Sequence, residues 1–302
     1  MITSIRIYLL GTGGSWPTPF RGTAGVAVRL DDEAVLFDCG EYTQVRLMKS
    51  TLSLMKIKKI FITHFHGDHF LGLPGLIQTM SLFGRKEPLE IYGPIGADAI
   101  ISSLLSIGYY DLSFEVRIRE LGTGGELDFG EYKVLYKKSS HVIPSLSYAI
   151  KEKDNFRFDE NKILAKNIPK RLLEKIRKYG SIEYNGENVR IEDLSSSIRI
   201  GRKISYSGDT RKDPTLVELF KDSTVLIHEA TGDSSIQEKV TQYGHSTGKE
   251  AAEIAKLSNV KKLILIHFSP RYNDVAPIIN EAREVFNETY GSQDLDEVEV
   301  PI

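Results

Sequence analysis

The sequence has one cysteine, Cys39, in 302 residues. An intrachain disulfide is therefore impossible, and no cluster of thiolates can hold a metal. Charge imbalance is also missing: 39 Lys and Arg stand against 41 Asp and Glu, a formal net charge of −2. That excludes a protein coated in basic surface, so any affinity for nucleic acid has to come from local positive charge. No apolar run approaches the length of a membrane span, and the apolar stretch of the opening "MITSIRIYLLGTGG" is too short for a secretory leader. A cytoplasmic location without membrane association is the expectation. There is no internal repeat and no low-complexity segment. What remains, 41% hydrophobic and 26% charged, is the composition of an ordinary globular protein with chain enough for a sizeable core.

Short runs rich in Ile, Val, Leu and Tyr, each stopped by Gly, Asp or His, predict buried strands at 5–10, 24–30, 34–37, 59–63, 203–207, 225–227 and 262–266. Helical stretches alternate with the later ones. They are 71–83, with Pro74 in its first turn, "STGKEAAEIAKLS", with Ser246 or Thr247 as N-cap, and "DVAPIINEAREVF". Strands alternating with helices favour a layered α/β fold, and the length allows one large domain or two small ones. One stretch breaks the pattern. Residues 154–197 are polar and weakly periodic, and their centre, "AKNIPKRLLEKIRKYG" (165–180), sets Lys166, Lys170, Arg171, Lys175, Arg177 and Lys178 against Glu174 alone. It reads either as a solvated helix face or as an inserted arm that touches a polyanion.

Of seven histidines, three stand with an aspartate in six positions of "THFHGDHFLGLPGL" (63–76), straight after an apolar run. A lone histidine on an apolar strand is more often a satisfied structural residue. Four ligand-type side chains in six positions reverse that expectation. His64 and His66 leave an extended backbone on the same side, and Gly67 permits a tight turn that sends Asp68 and His69 another way. One loop can thus serve two adjacent metals. Imidazoles and carboxylates without thiolates suit Zn²⁺, with Mn²⁺ or Fe as substitutes. Other apolar strands also end in candidate ligands, at Asp209 ("SGDT"), His228 and Glu229 ("HEAT") and His267 ("HFSPRY"). With His141, Asp209 and His267 the set reaches seven, enough for two metals sharing one carboxylate. Asp38 in "LFDCGE" either orients a ligand or simply ends a strand. His228 is expected to be structural or to support a ligand from outside. "GTGGS" either brings backbone amides to a phosphate or is a plain strand-to-loop turn.

The His-x-His-x-Asp-His cluster resembles the signature of the metallo-β-lactamase superfamily. Together with "LGTGGSWPTPFR", "LFDCGEYTQ", "YGPIG", "SGDT", "HEAT", "GHST" and "HFSPRY", in order along nearly the whole chain, it is similar to the ribonuclease Z family in its short form, the tRNA 3′-processing endonucleases. That resemblance implies a single domain over 1–302, an α/β fold built as a four-layer αβ/βα sandwich, with an inserted exosite arm at about 154–197. It implies two Zn²⁺ per chain: one on His64, His66 and His141, the other on Asp68, His69 and His267, with Asp209 bridging. Asp68 would orient the nucleophile, and His245, held by Glu229, would protonate the leaving group. The substrate would be precursor tRNA, cut to leave a 3′-hydroxyl on the tRNA and a 5′-phosphate on the trailer. Lys170, Arg171, Lys175, Arg177, Lys178 and Arg271 would bind it, and the chain would form a homodimer.

Three departures from the family pattern stand out. The arm lacks the Gly-Pro-rich motif of many bacterial relatives. In the family's Pro-x-Lys-x-Arg-Asn loop, Pro17 and Arg21 match, but Pro19 replaces the Lys and Gly22 the Asn. Tyr42 stands where glycine is common. The alternatives are another hydrolase of the same fold, such as a small phosphodiesterase or thioesterase, and an RNA-binding module without activity. The full ligand set speaks against the last.

Overall fold

Alternation along the strands builds the layers. In Ile5–Gly11, Ile7 and Leu9 face one side while Tyr8 and Leu10 face the other. In Glu33–Phe37, Val35 and Phe37 oppose Ala34 and Leu36 in the same way. A strand that is apolar at every position has to be covered on both faces. The structure, a computed structural model describing residues 2–109 and 111–301, does this with two seven-stranded sheets. The first runs, in spatial order, Asp296–Val300, Ile5–Gly11, Gly25–Leu30, Glu33–Phe37, Ile57–Phe61, Leu89–Pro94 and Val116–Leu121. The second runs Thr289–Gly291, Leu263–Ile266, Val225–Glu229, Lys203–Tyr206, Leu146–Glu152, Tyr132–Lys138 and Gly124–Asp128.

One core joins the facing sheets. Val35, Phe37 and Phe61 of the first meet Tyr148, Tyr206 and Ile227 of the second, and the Phe37 and Tyr206 rings stack with centroids 5.3 Å apart. On the outer face of the first sheet, Leu36 and Ile60 pack with Leu47 of helix Thr43–Lys49 and with Leu73 and Ile77 of helix Leu73–Leu82. Outside the second sheet, Leu226 and Leu265 pack with Ala251 and Ala255 of Gly248–Leu257, and with Ile278 of Ala276–Val285. Helix, sheet, sheet, helix is the four-layer sandwich expected.

Local details differ from the sequence reading around the histidine cluster. The expected 59–63 strand is Ile57–Phe61, and the expected 71–83 helix is Leu73–Leu82, preceded by a separate short helix, Gly67–Phe70, that was not expected. Gly67 makes no left-handed turn. It opens the short helix, which His66 precedes in extended conformation, and the His69 N–H donates to the His66 carbonyl at 3.0 Å. A helical turn therefore carries Asp68 and His69 away from the direction of His64 and His66. Thr247, not Ser246, caps the helix Gly248–Leu257, and its partner Glu250 completes a capping box.

Residues 152–202 form a second compact unit, slightly wider than the polar stretch. Taken by itself it contains two antiparallel ladders, Asn155–Phe158 with Ser195–Arg199 and Ser181–Tyr184 with Glu187–Arg190. Its small core gathers Ile168, Ile176, Val189, Ile191 and Leu194. The helix Lys170–Tyr179 buries Ile176 there, with Leu172 and Leu173 packed alongside, and leaves Lys170, Arg171, Lys175, Arg177 and Lys178 exposed. Among the described residues, no helix is long and apolar enough to cross a membrane.

Candidate metal centre

The strands Ile57–Phe61, Lys203–Tyr206, Val225–Glu229 and Leu263–Ile266 all lie in parallel pairings, so the chain leaves each sheet on a defined side. Sites in layered α/β folds gather at such carboxyl ends, because the strands fix the side chains beyond them. His64 follows the first by three residues, Asp209 the second by three, and His267 the fourth directly; Glu229 ends the third. His267 and Asp38, each the first residue after its strand, have left-handed backbones with φ of 60° and 55°. Strain of this kind persists where the surroundings over-determine the conformation.

Around His267 the glycines of "GTGGS" find their reason. A Cβ on Gly14 would lie 2.5 Å from the His267 ring. The amides of Gly13, Gly14 and Ser15 already donate to the Gly22 carbonyl (2.9 Å), the Phe268 carbonyl (3.1 Å) and Asp68 Oδ2 (2.7 Å). None is left for a phosphate, which removes the phosphate-cradle reading. Gly244 is similar: φ is +89°, and a Cβ would lie 2.7 Å from His141 Nδ1. Tyr42 also has a left-handed backbone, φ 74°, so glycine would suit that position without steric cost.

Four rings are held from outside by Nδ1. His69 Nδ1 lies 2.7 Å from Asp38 Oδ2, and His141 Nδ1 lies 2.8 Å from the Gly244 carbonyl. His64 Nδ1 meets Thr63 Oγ1 at 3.0 Å, and the Thr63 hydroxyl itself donates to Asp38. His267 Nδ1 meets Thr231 Oγ1 at 3.1 Å, and that hydroxyl donates to Glu229 Oε2 at 2.8 Å. Each outer acceptor puts the proton on Nδ1 and leaves Nε2 bare toward the centre. His66 is the exception, with Nδ1 facing inward, 3.0 Å from His64 Nε2 and 3.2 Å from His141 Nε2. Bare nitrogens at that separation repel unless a proton or cation lies between them.

His64, His66, His141 and Asp209 each bring a donor atom into a group no wider than 4.8 Å, and Asp68, His69 and His267 form a second such group. Asp209 Oδ2 stands between them, 3.6 Å from His64 Nε2, 3.3 Å from His69 Nε2 and 3.4 Å from His267 Nε2. Asp68 Oδ2 is 3.6 Å from His69 Nε2 and 3.4 Å from His267 Nε2. Ligand atoms around a tetrahedral zinc sit about 3.3 Å apart for bonds of about 2.0–2.1 Å. Buried His69 Nε2, His267 Nε2 and Asp209 Oδ1 have no hydrogen-bond partner. Orphaned, inward and of the right chemistry, these donors fit a divalent metal ion.

The electrostatics agree. Burial, followed by the neighbouring His69, pushes the His64 imidazole well below its ordinary pKa; burial also lowers His66 and His141. Neutral imidazole is the form that binds metal. Burial opposes ionisation of Asp209, but His267, His69 and His64 outweigh it and hold the carboxyl well below the usual range. For His69, burial is outweighed by Asp209, Asp68 and Asp38, so the cluster of carboxylates demands a positive charge. A divalent ion supplies it.

His245 also lies in a possible donor group, with Asp209 and His267. Its Nδ1 is engaged elsewhere, 3.0 Å from Glu229 Oε1, against 3.7 Å to Asp209 Oδ2. Burial opposes its protonation, yet Glu229 and then Asp209 raise its pKa to about 9. His228, expected to be structural or to support a ligand from outside, is buried beside the Phe220 ring with Nδ1 2.7 Å from the Glu229 carbonyl. Arg271 is exposed and lines a cleft of about 500 Å³ shared with His66, Asp68, Asp209, His245 and His267. The arm cations belong to the other unit. Sequence reasoning overlooked Ser15 and Thr231, which grip Asp68 and His267, and Trp16 and Lys239 in the cleft wall. For Thr231 the signal was present in "HEAT".

A family model described as Anti-Pycsar protein Apyc1 matches residues 5–179, a span that ends before Asp209, Glu229, His245 and His267. Curated relatives continue through all of them. Ribonuclease Z of Thermoplasma acidophilum is 48% identical over 302 residues, covering 100% of this chain and 98% of that protein. The chain belongs to the ribonuclease Z family. Through residues 5–179 it also falls among the proteins that the Apyc1 model describes. Ribonuclease Z of Methanosarcina mazei is 42% identical over 300 residues, 98% of either chain. Among solved structures, human tRNase Z, short form, shares 32% identity at a TM-score of 0.74, covering 98% of this chain and all of that one. A metallo-β-lactamase fold protein of Bacillus subtilis, 18% identical with a TM-score of 0.71 over 98% of this chain and 99% of that one, matches in fold alone. This ribonuclease Z family member is accordingly an endoribonuclease on a metallo-β-lactamase fold, with a divalent-metal site at the strand ends.

Proposed function

We propose that this ribonuclease Z family member removes the 3′ trailer from precursor tRNAs by hydrolysis, leaving a 3′-hydroxyl on the tRNA and a 5′-phosphate on the trailer. Two zinc ions per chain would be held, one by His64, His66 and His141, the other by Asp68, His69 and His267, with Asp209 between them. Mn²⁺ or Fe would suit the same donors. When bound, the metal supplies Lewis acidity that lowers the pKa of a water towards 7 and stabilises charge on the phosphate oxygens. The observation that carries this reading is the convergence of seven donors beside the Glu229–His245 pair, in a chain matched from end to end by ribonuclease Z.

The protein's own groups account for the remaining steps. Asp68 has Oδ2 fixed by the Ser15 amide and lines the cleft, where it can orient the attacking water. Attack at phosphorus forms a P–O bond and breaks the bond to the ribose 3′-oxygen. With Nδ1–H held by Glu229, His245 lines the cleft and would deliver a proton from its opposite nitrogen to the departing oxygen. The exposed cations of the arm, together with Arg271, would hold the tRNA backbone without reading its sequence. We extend the proposal to a cytoplasmic homodimer. Incubation with a 3′-extended precursor tRNA, with both new ends mapped, tests the function. Cleavage at the trailer junction with a 3′-hydroxyl and a 5′-phosphate is expected. The opposite placement of the phosphate, or no cut by metal-loaded protein, would refute it.

A further inference from the structure

Trp16 is the chain's single tryptophan, and it is 54% exposed on the wall of the metal cleft. A lone exposed apolar residue needs no explanation. This one is built into place. Ser15 has a left-handed backbone, φ 68°, and its amide donates to Asp68 Oδ2 at 2.7 Å. The Trp16 amide donates to the Gly14 carbonyl at 2.9 Å, and Thr18 and Arg21 close the loop through a backbone bond of 2.8 Å. Arg21 then anchors the far end, donating to the Ser292 carbonyl at 2.8 Å and lying 4.8 Å above the Phe268 ring. An indole is thereby held on a short, braced segment tied directly to a candidate ligand. Little ordering entropy is lost when something packs on it.

The rest of the cleft indicates what packs there. Tyr243, 59% exposed, is a second aromatic residue of the wall, and the exposed cations Lys239 and Arg271 line the same space. Aromatic faces beside a cationic track are the chemistry of single-stranded nucleic acid: bases stack while phosphates meet the charges. We propose that Trp16 is a stacking platform for an unpaired nucleobase of the RNA strand, next to the phosphodiester that is cut. Lys239 and Arg271 neutralise the neighbouring phosphates. The inference rests on the ribonuclease reading above and adds a base-binding subsite to it.

The test uses the full-length, metal-loaded protein and a precursor tRNA, together with substrates made abasic one at a time at the nucleotides flanking the cut. Trp16→Ala should raise KM by roughly 5- to 150-fold, the scale of one base–aromatic stack, whereas Trp16→Phe keeps most of the affinity. On the substrate that lacks the stacked base, Trp16→Ala should add no further loss. In the wild type the one indole's emission should be quenched by a short unpaired oligoribonucleotide and not by its abasic counterpart. A wild type that cuts precursor tRNA while Trp16→Ala keeps the same KM, or loses equally on intact and abasic substrates, overturns the stacking platform alone. A wild type that cuts no precursor tRNA overturns the ribonuclease reading, and this inference with it.

Discussion

Asp38→Asn should weaken metal binding about 10- to 100-fold, the usual effect of removing an outer partner of a metal-binding histidine. Asp38 is fully buried and accepts from four donors: the Thr63 amide at 2.7 Å, the Thr63 hydroxyl at 2.9 Å, His69 Nδ1 at 2.7 Å and the Tyr206 hydroxyl at 2.8 Å. Asparagine keeps the shape and tolerates the left-handed backbone at this position, so backbone strain does not enter. It has only one oxygen. Turned toward Thr63, it sets its amide hydrogens against His69 Nδ1–H and Tyr206 O–H. Turned toward those two, it faces the Thr63 amide with another donor. Each unmatched buried donor costs about 1–3 kcal/mol. His69 can relieve the first clash by moving its proton to Nε2, but that removes the lone pair from the metal centre. A tenfold loss in affinity corresponds to about 1.4 kcal/mol, the low end of this range. Competition with a chromogenic chelator measures the affinity, and a thermal melt of the metal-free variant measures the separate cost to the fold. Wild-type metal affinity in a folded Asp38→Asn protein would refute the argument that this carboxylate sets the His69 tautomer.

Elemental analysis after chelation and zinc restoration should give two ions per chain, and Asp209→Ala should lower both occupancy and activity; saturation at one ion per chain is incompatible with two donor groups sharing Asp209. His245→Ala should reduce turnover on precursor tRNA by roughly 10²- to 10⁴-fold with metal content kept. The loss should shrink on a diester whose leaving group needs no proton, and equal losses on both would rule out a proton donor. Replacing Lys170, Arg171, Lys175, Arg177 and Lys178 with Ala should act through affinity for precursor tRNA. The salt dependence of binding should flatten by about one unit or less per lost phosphate contact. An unchanged salt slope would mean the helix is only solvated, and equal loss on a small chromogenic diester would mean the segment supports the fold.

The layers were legible in the sequence, and so was the gathering of donor-type side chains at strand ends, for physical reasons that can be named. Strands covered on two faces are apolar without interruption, as in "LILI" (263–266), and polar residues placed repeatedly where such runs stop are hard to explain otherwise. Finer features left no periodic trace. The edge strand Asp296–Val300 reads "DEVEV" because most of it is solvated, and it is defined by pairing with Ile5–Leu9 across the length of the chain. Thr63 and Thr231 orient rings through hydroxyls of a kind common in turns. The turn expected at Gly67 proved to be helical, since a glycine signals permission for a conformation and not which one is adopted. In residues 152–202, a core of five short-range aliphatic residues is too small to impose a clear period on a segment this polar.

The two sheets contribute to the donor groups unequally and jointly. His64, His66, Asp68 and His69 all follow the strand Ile57–Phe61 of the first sheet. His141, Asp209 and His267 come from connections of the second. The group of His64, His66, His141 and Asp209 and the group of Asp68, His69 and His267 therefore each take members from both, and an ion coordinated by either closes a clasp between the sheets. Such an ion cannot be held fully by a chain in which only one sheet has formed. Occupancy becomes a report on completed folding, and at a hundred times its dissociation constant a single bound ion favours the closed sandwich by about 2.7 kcal/mol. The residues that prepare the chemistry thus also act, with metal bound, as a latch that adds to the packing between the sheets.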